Sequence, residues 1–288
     1  MNAVTRIFRY PAKSMLGEEL GEAEVTAAGL LGDRGWAVRD EVRGGIRGAK
    51  KIGGLMRLSA RYLAPPSERN ATPHIEIATP TGERFSSADP DVHERLSAAL
   101  DHPVTLFPLQ PPTDLDHYRR GPAESDDFLA EMRQIFGRLE DEPLPDLSVF
   151  PPEILEFESP PGTYLDAFPL LILTTGSLRH LQSLVPDSTI DVRRFRPNLL
   201  VDLDNGEPWP ELEWVGQRVR VGTAVLEIVA PCPRCVMITR AVAELPQDSS
   251  IMRAVVREAN QNLGVYATVV EPGVVTTGDS ISVDSGRS

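Results

Sequence analysis

Apolar residues recur at every second position in the clearest regular runs of this chain, and that period builds sheet rather than helix. In the segment 219–229, Val219, Val221, Leu226 and Ile228 fall on one side, with Gly222-Thr223 at the turn of a hairpin. Residues 75–79 alternate in the same way and run into the turn Pro80-Thr81-Gly82, and Trp36-Ala37-Val38 adds another β-like run. Strands are also predicted at 170–173, 199–201, 265–270 and 280–283, with Glu271-Pro272-Gly273 as a turn between the last two. The fold class read from this pattern is α+β and β-dominated, without internal repeats.

Helices interrupt the strands at a few places. Asp89 can cap a helix with Pro90 in its first position, turning Val92, Leu96, Ala99 and Leu100 to one face before Asp101 and Pro103 end it. A second helix is predicted from Asp126 to Phe136, with Phe128, Met132 and Ile135 inward and Gly137 closing it. A third spans 177–184 with Leu178, Leu181 and Leu184 inward, and a fourth runs from an Asp248 cap to about Asn262. This divides the chain into an N-terminal β-barrel-like domain at 1–110, a proline-rich and acidic connecting segment at 111–162, and a second barrel-like domain at 163–288.

The 288 residues carry 29 basic and 42 acidic side chains, a net charge of -13, which disfavours broad contact with nucleic acid or anionic membrane. The first ten residues include Arg6 and Arg9 but no apolar signal core, and no run approaches the roughly 18 apolar residues of a membrane helix. A cytoplasmic location is expected, with neither nucleic acid nor membrane as partner. Two cysteines are too few for a disulfide framework, and the five histidines make no metal-ligand spacing with them, so a zinc site lacks ligands.

Both cysteines lie in Pro231-Cys232-Pro233-Arg234-Cys235. Such a pair can bind a soft metal, form a disulfide or supply half a zinc site. The following Val236-Met237-Ile238-Thr239 has no helix signature, which weakens a thioredoxin-type dithiol reading. Three further segments stand out: Arg193-Arg194-Phe195-Arg196-Pro197-Asn198, suited to a phosphate or a fused-ring amide; Tyr10-Pro11-Ala12-Lys13-Ser14; and Gly32-Asp33-Arg34. Taken singly, the last two read as solvated surface and a salt bridge.

In this order the four segments resemble the MOSC-domain family, named for the C-terminal domain of molybdenum cofactor sulfurase, with its N-terminal β-barrel partner. Leu263-Gly264-Val265-Tyr266-Ala267, Pro272-Gly273 and Gly278-Asp279 extend the resemblance to the end of the chain. It implies an N-terminal MOSC β-barrel domain followed by a MOSC β-barrel domain with peripheral helices, and a molybdenum-molybdopterin cofactor between them, as in the amidoxime-reducing members. Pyridoxal phosphate and sulfur carriage rank behind that cofactor.

The resemblance makes Cys235 the metal-binding and catalytic cysteine and Cys232 a structural one. Lys13, Ser14, Arg34, Arg196 and Asn198 match cofactor-contacting positions, and Arg234 lies in the ligand loop. Asp166, before Ala167-Phe168-Pro169, matches an acid that could relay protons. It also reads as the cap of a turn before a strand, and Leu165, Ala167 and Phe168 beside it make an apolar wall. Lys50 and Lys51 read as a solvated pair. The implied activity is reduction of amidoximes, hydroxamic acids or hydroxylamino bases, removing oxygen as water with two electrons and two protons. The sequence stops at Ser288 with no further cysteines for an iron–sulfur cluster, so a separate donor of ferredoxin, flavoprotein or cytochrome type is expected. The alternatives are a non-catalytic cofactor carrier or persulfide-transfer module, and a structural binding protein.

Overall fold

The computed structural model describes residues 2–122, 127–148, 150, 153, 156–203 and 206–283. The first ten strands are β1 (Ala3–Arg9), β2 (Glu18–Leu20), β3 (Glu22–Thr26), β4 (Gly29–Leu30), β5 (Trp36–Asp40), β6 (Ile46–Arg47), β7 (Ser59–Tyr62), β8 (Ile75–Ala78), β9 (Arg84–Ser86) and β10 (Val104–Pro108). After a long connection come β11 (Leu170–Thr174), β12 (Leu199–Asp202), β13 (Arg218–Val221), β14 (Ala224–Pro233), β15 (Asn262–Glu271), β16 (Gly273–Thr276) and β17 (Ile281–Val283). The helices are α1 (Val92–Leu100), α2 (Leu115–Tyr118), α3 (Phe128–Phe136), α4 (Thr175–Leu184) and α5 (Ser250–Glu258).

Eight strands form the main sheet in the order β17-β13-β14-β15-β11-β12-β1-β2. Its inner face is the alternation seen in the sequence: Val219, Val221, Leu226 and Ile228 are all fully buried. Irregular register between β14 and β15 bends the sheet where the chain approaches the cysteine motif. β11 and β12 run parallel, so a crossover must join them, and α4 supplies it on the opposite face with Leu181 buried. Strand β1 crosses the expected division at residue 110 and pairs antiparallel with β12, while β3 pairs with β16. The first thirty residues thus complete the main sheet, built mainly from the last hundred and twenty, and supply two of the three strands in the sheet that contains β16.

The remaining N-terminal strands form two three-stranded sheets, β10-β5-β6 and β7-β8-β9, around Trp36, Leu55, Met56, Ile75, Ile77 and Leu96. Met237, Val242 and Leu245, from just beyond the cysteine motif, belong to this same core. The cysteine motif is therefore the point at which the C-terminal chain plugs into the N-terminal core.

Several local expectations are corrected. Helix α1 begins at Val92 because Asp89 accepts from Ser86 N at 2.8 Å and holds the preceding turn instead, and Ala99 faces solvent. Helix α3 is capped by Asp127, whose carboxylate accepts from Ala130 N at 3.0 Å; Asp126 lies outside the described residues. None of its residues is buried, so the inward face expected for Phe128, Met132 and Ile135 has no protein core beneath it. Helix α5 stops at Glu258, since Asn260 and Gln261 adopt positive φ and Asn262 already opens β15. Strand β16 and the short α2 carried no periodic signal. Strand β14 continues through Cys232 to Pro233, and Val236–Thr239 is one short 3-10 turn.

Beneath the sheet, the fully buried Glu211 carboxylate accepts from Thr174 Oγ1 at 2.7 Å, Ser177 Oγ at 2.6 Å and Gly264 N at 3.1 Å. Gly264 is required there: its φ is +80° and a Cβ would stand 2.8 Å from Ile172 O. Burial pushes the Glu211 carboxyl above its ordinary 4.5. An acid raised in the folded state contributes stability below the ordinary value, and that contribution is lost as pH rises through the raised one. Glu211→Gln should accordingly lose less stability than the wild type between about pH 5 and pH 8. Glu211→Ala should cost about 3 kcal/mol by orphaning buried donors, with both effects read by denaturant titration.

Candidate functional site

A cavity of about 300 Å³ opens where the N-terminal core meets the main sheet, and eight lysines and arginines line it against three carboxylates. In a chain of net charge -13 this concentration of cations stands out as a locally basic pocket.

The cationic part is built by backbone that few side chains adopt. Ser14, Arg34 and Arg196 have φ of 68°, 54° and 57°, conformations that persist only where surrounding structure imposes them. Beside Arg34 that structure is Asp33, whose buried carboxylate accepts from Tyr10 N at 2.7 Å and Asn198 Nδ2 at 3.0 Å, and also pairs with Arg34. The Tyr10 ring lies between two guanidiniums, 4.1 Å from Arg196 and 5.3 Å from Arg34. Arg196 donates through Nη1 to Met15 O, but its buried Nη2 has no partner among the described residues. Burial pushes the Arg196 guanidinium down to about 10, whereas for Arg34 the Asp33 and Asp166 carboxylates outweigh burial and raise it.

Asp166 is the acidic centre. Its Oδ1 lies 3.3 Å from Lys13 Nζ and 3.4 Å from Lys50 Nζ. Its side chain is 42% exposed, because it faces the open interior of the cavity. Burial acts to raise its pKa, but Lys13, Lys50, Arg34 and Arg196 outweigh that and hold it well below the usual carboxylate range. Asp166 is thus a fixed anion at neutral pH. Lys50 is held above its ordinary value, Asp166 and Cys235 outweighing its burial. Lys13 is 3% exposed and donates to Ser159 Oγ, Tyr164 O and Leu165 O at 3.1, 3.0 and 3.3 Å; burial lowers its pKa despite Asp166.

The two cysteines are free and differ in surroundings. Cys235 is partly exposed and lines the cavity at the start of the 3-10 turn. Cys232 is buried, accepts from Arg234 Nη1 at 3.0 Å and hydrogen-bonds Tyr266, and burial raises its pKa. Arg234 also donates to Phe195 O at 2.7 Å, leaving its buried Nε without a partner among the described residues. Among the described residues no group of three His, Cys, Asp or Glu side chains could hold a metal ion. A metal here would have a single protein sulfur and need its other ligands from a cofactor.

Of the residues singled out by sequence, Arg34, Asp166, Arg196, Asn198, Arg234 and Cys235 all border the cavity. Lys13 supports it from beneath, through Asp166. Ser14 Oγ is occupied, accepting from Ala49 N at 2.9 Å. Asn198 is also committed to the fold: Oδ1 accepts from Leu171 N at 3.1 Å while Nδ2 donates to Asp33 and Phe8 O. Within the arginine cluster only Arg196 presents an unsatisfied donor. Arg193 pairs with Asp191 and Glu244, and Arg194 is locked onto three carbonyls of the neighbouring loops. The lysine pair is not simply solvated, since Lys51 binds Glu131 at 2.9 Å and Lys50 binds Asp166. Tyr10 and Tyr266 were missed as site residues; each sits inside a motif already noted, but its role depends on stacking across the chain.

A family profile described as the MOSC N-terminal beta barrel domain matches residues 1–91, and one described as the MOSC domain matches residues 161–282. The chain belongs to the MOSC-domain family. This MOSC-domain protein is 25% identical over 264 residues to mitochondrial amidoxime-reducing component 1 of Homo sapiens, covering 83% of this chain and 66% of that protein. It is 32% identical over 99 residues to molybdenum cofactor sulfurase of Drosophila grimshawi, covering 33% of this chain and 12% of that one. The chain therefore spans just under two thirds of the length of the first relative and a small part of the second. Among solved structures, the YUAD protein of Bacillus subtilis aligns over 100% of this chain and 98% of its own, at 13% identity and a TM-score of 0.43.

The contrast between the thiols yields a direct test. A small alkylating reagent should modify Cys235 and spare Cys232 in the native protein, and both should react after denaturation. Mass spectrometry of the wild type and Cys235→Ser reads the result, native labelling being nearly abolished in the variant.

Proposed function

We propose that this MOSC-domain protein binds a molybdenum–pterin cofactor in the cavity and reduces N-hydroxylated small molecules with electrons from a separate donor. The observation that carries this reading is one accessible thiol, Cys235, on a cavity whose buried guanidiniums Arg196 and Arg234 each retain an unpartnered donor atom. An unpaired buried donor costs about 1–3 kcal/mol, so two of them on side chains that border one cavity favour an anionic occupant with several acceptors. A phosphate-bearing pterin dithiolene has that chemistry, and a thiolate suits its metal.

In this reading Cys235 supplies the protein's sulfur ligand, while Arg34, Arg196 and Arg234 hold the anionic and polar parts of the cofactor. When bound, the cofactor supplies two-electron removal of oxygen from the N–O group. Asp166 takes part as a carboxylate: it orients the ammonium groups of Lys13 and Lys50, 3.3 and 3.4 Å from its Oδ1. Asp166 thus serves as a fixed anion that positions the Lys50 ammonium in the cavity, rather than as a free acid that itself relays protons. Ser14 and Asn198 act indirectly, by fixing the loops that present Lys13, Arg34 and Arg196. The donor is of ferredoxin, flavoprotein or cytochrome type.

The test is metal and pterin content of protein made in a host that produces the cofactor. Wild type should carry close to one molybdenum per chain and reduce benzamidoxime with an artificial donor, whereas Cys235→Ser should lose most of both. Absence of molybdenum and pterin from the wild type would overturn the reading, and cyanide-releasable sulfur on Cys235 would then favour persulfide transfer.

A further inference from the structure

The cavity has a second lining that the cofactor reading does not use. Helix α3 carries Phe128, Met132, Ile135 and Phe136 at positions i, i+4, i+7 and i+8, one continuous apolar stripe. In most amphipathic helices such a stripe is buried against the protein's own core. Here none of the nine residues is buried, Phe128 is 60% exposed, and all four stripe residues face the cavity. The helix is nonetheless firmly placed. Asp127 caps its start, Gly137 ends it at φ 62°, and the Lys51–Glu131 pair at 2.9 Å ties it to the N-terminal domain.

A cluster of aromatic rings lines the same cavity. Phe168 stands 5.0 Å from Tyr266, and Phe150 stands 5.9 Å and 6.2 Å from Phe168 and Tyr266. Their planes differ by 35°, 40° and 75°, the tilted arrangement that receives a further ring by offset or edge contact. Charges near this lining are already matched, Lys51 by Glu131 and Arg120 by Glu158 at 2.6 Å. The cavity therefore joins a cationic half, with unsatisfied donors, to an apolar half whose charges are paired.

We propose that the α3 stripe and the Phe150–Phe168–Tyr266 cluster form the pocket for the non-reacting body of the substrate and select an uncharged, flat aromatic group. The proposal deepens the reductase reading and rests on it for the N–O group. The aromatic preference itself rests on the lining. Burial of the stripe is left for the ligand to complete, so affinity follows the apolar area of the substrate and is lost when that area carries charge. Phe168 and Phe128 are specificity-determining residues acting on the substrate body, at a distance from the group that reacts.

The experiment compares benzamidoxime, acetamidoxime and 4-carboxybenzamidoxime by equilibrium binding and by steady-state reduction, using the cofactor-loaded protein. Wild type should bind benzamidoxime about tenfold more tightly than either other compound, as expected for a ring making two aromatic contacts. Phe168→Ala should erase most of that ratio, raising KM for benzamidoxime with kcat little changed and leaving acetamidoxime unaffected. Phe128→Glu, on an exposed position that tolerates the change, should weaken benzamidoxime binding without altering molybdenum content. Equal binding of the three probes, no measurable binding of any, or a ratio unchanged in both variants would overturn the proposal. Selective binding of benzamidoxime without its reduction would uphold the aromatic pocket and count against the reductase reading alone.

Discussion

The buried carboxylate of Asp33 holds together segments that the sequence keeps far apart. It receives the Tyr10 backbone at the end of β1, the Asn198 amide at the entrance to β12, and the neighbouring guanidinium of Arg34. Arg34 and Arg196, both at positive φ, each bring a guanidinium to the Tyr10 ring. Without the Asp33 carboxylate, the repulsion between these two buried guanidiniums would be offset mainly by Asp166. The cationic half of the cavity is therefore preorganised by the fold, and a ligand entering it meets donors already desolvated and aimed.

The electrostatics of the molecule work at two scales. A net charge of -13 spreads over the surface and repels anions, while the cavity gathers eight cationic side chains around one exposed carboxylate, Asp166, and two further acids in ion pairs. The outer field disfavours the approach of large polyanions, while the inner one is locally cationic. Asp166 keeps Lys13 and Lys50 from repelling each other, and so allows the cluster to exist at all.

Much of this was legible in the residues. The alternation at 219–229 placed Val219, Val221, Leu226 and Ile228 on a buried face, and three of the four short motifs contribute side chains to one cavity, the fourth reaching it only through the Lys13–Asp166 pair. Other features were not legible, for definite reasons. A period of two reports that a strand has a buried face but not which strand lies beside it, so nothing near Val4 announces pairing with Val201. A helical stripe reports an apolar face but not what covers it, and the stripe of α3 turned out to face a cavity. Lys50 gained its partner only through the loop carrying Asp166, more than a hundred residues away in sequence. The positive φ of Ser14, Arg34 and Arg196 carries no composition signal, because the contacts around each reach across the chain: Ala49 N to Ser14, Tyr10 O to Arg34 N and Met15 O to Arg196.

The placement of β1 has a consequence for how the chain comes into being. Strand β1 is made well before its partner β12, since the Asn198 amide that binds Phe8 O lies 190 residues later. At about 5–20 residues per second, a ribosome takes roughly 10–40 s to deliver that partner. During that interval an apolar strand with Val4 and Ile7 on one face waits with one edge unpaired. Newborn copies on one message are then exposed to edge-to-edge association, a hazard that chaperone supply rather than final stability controls.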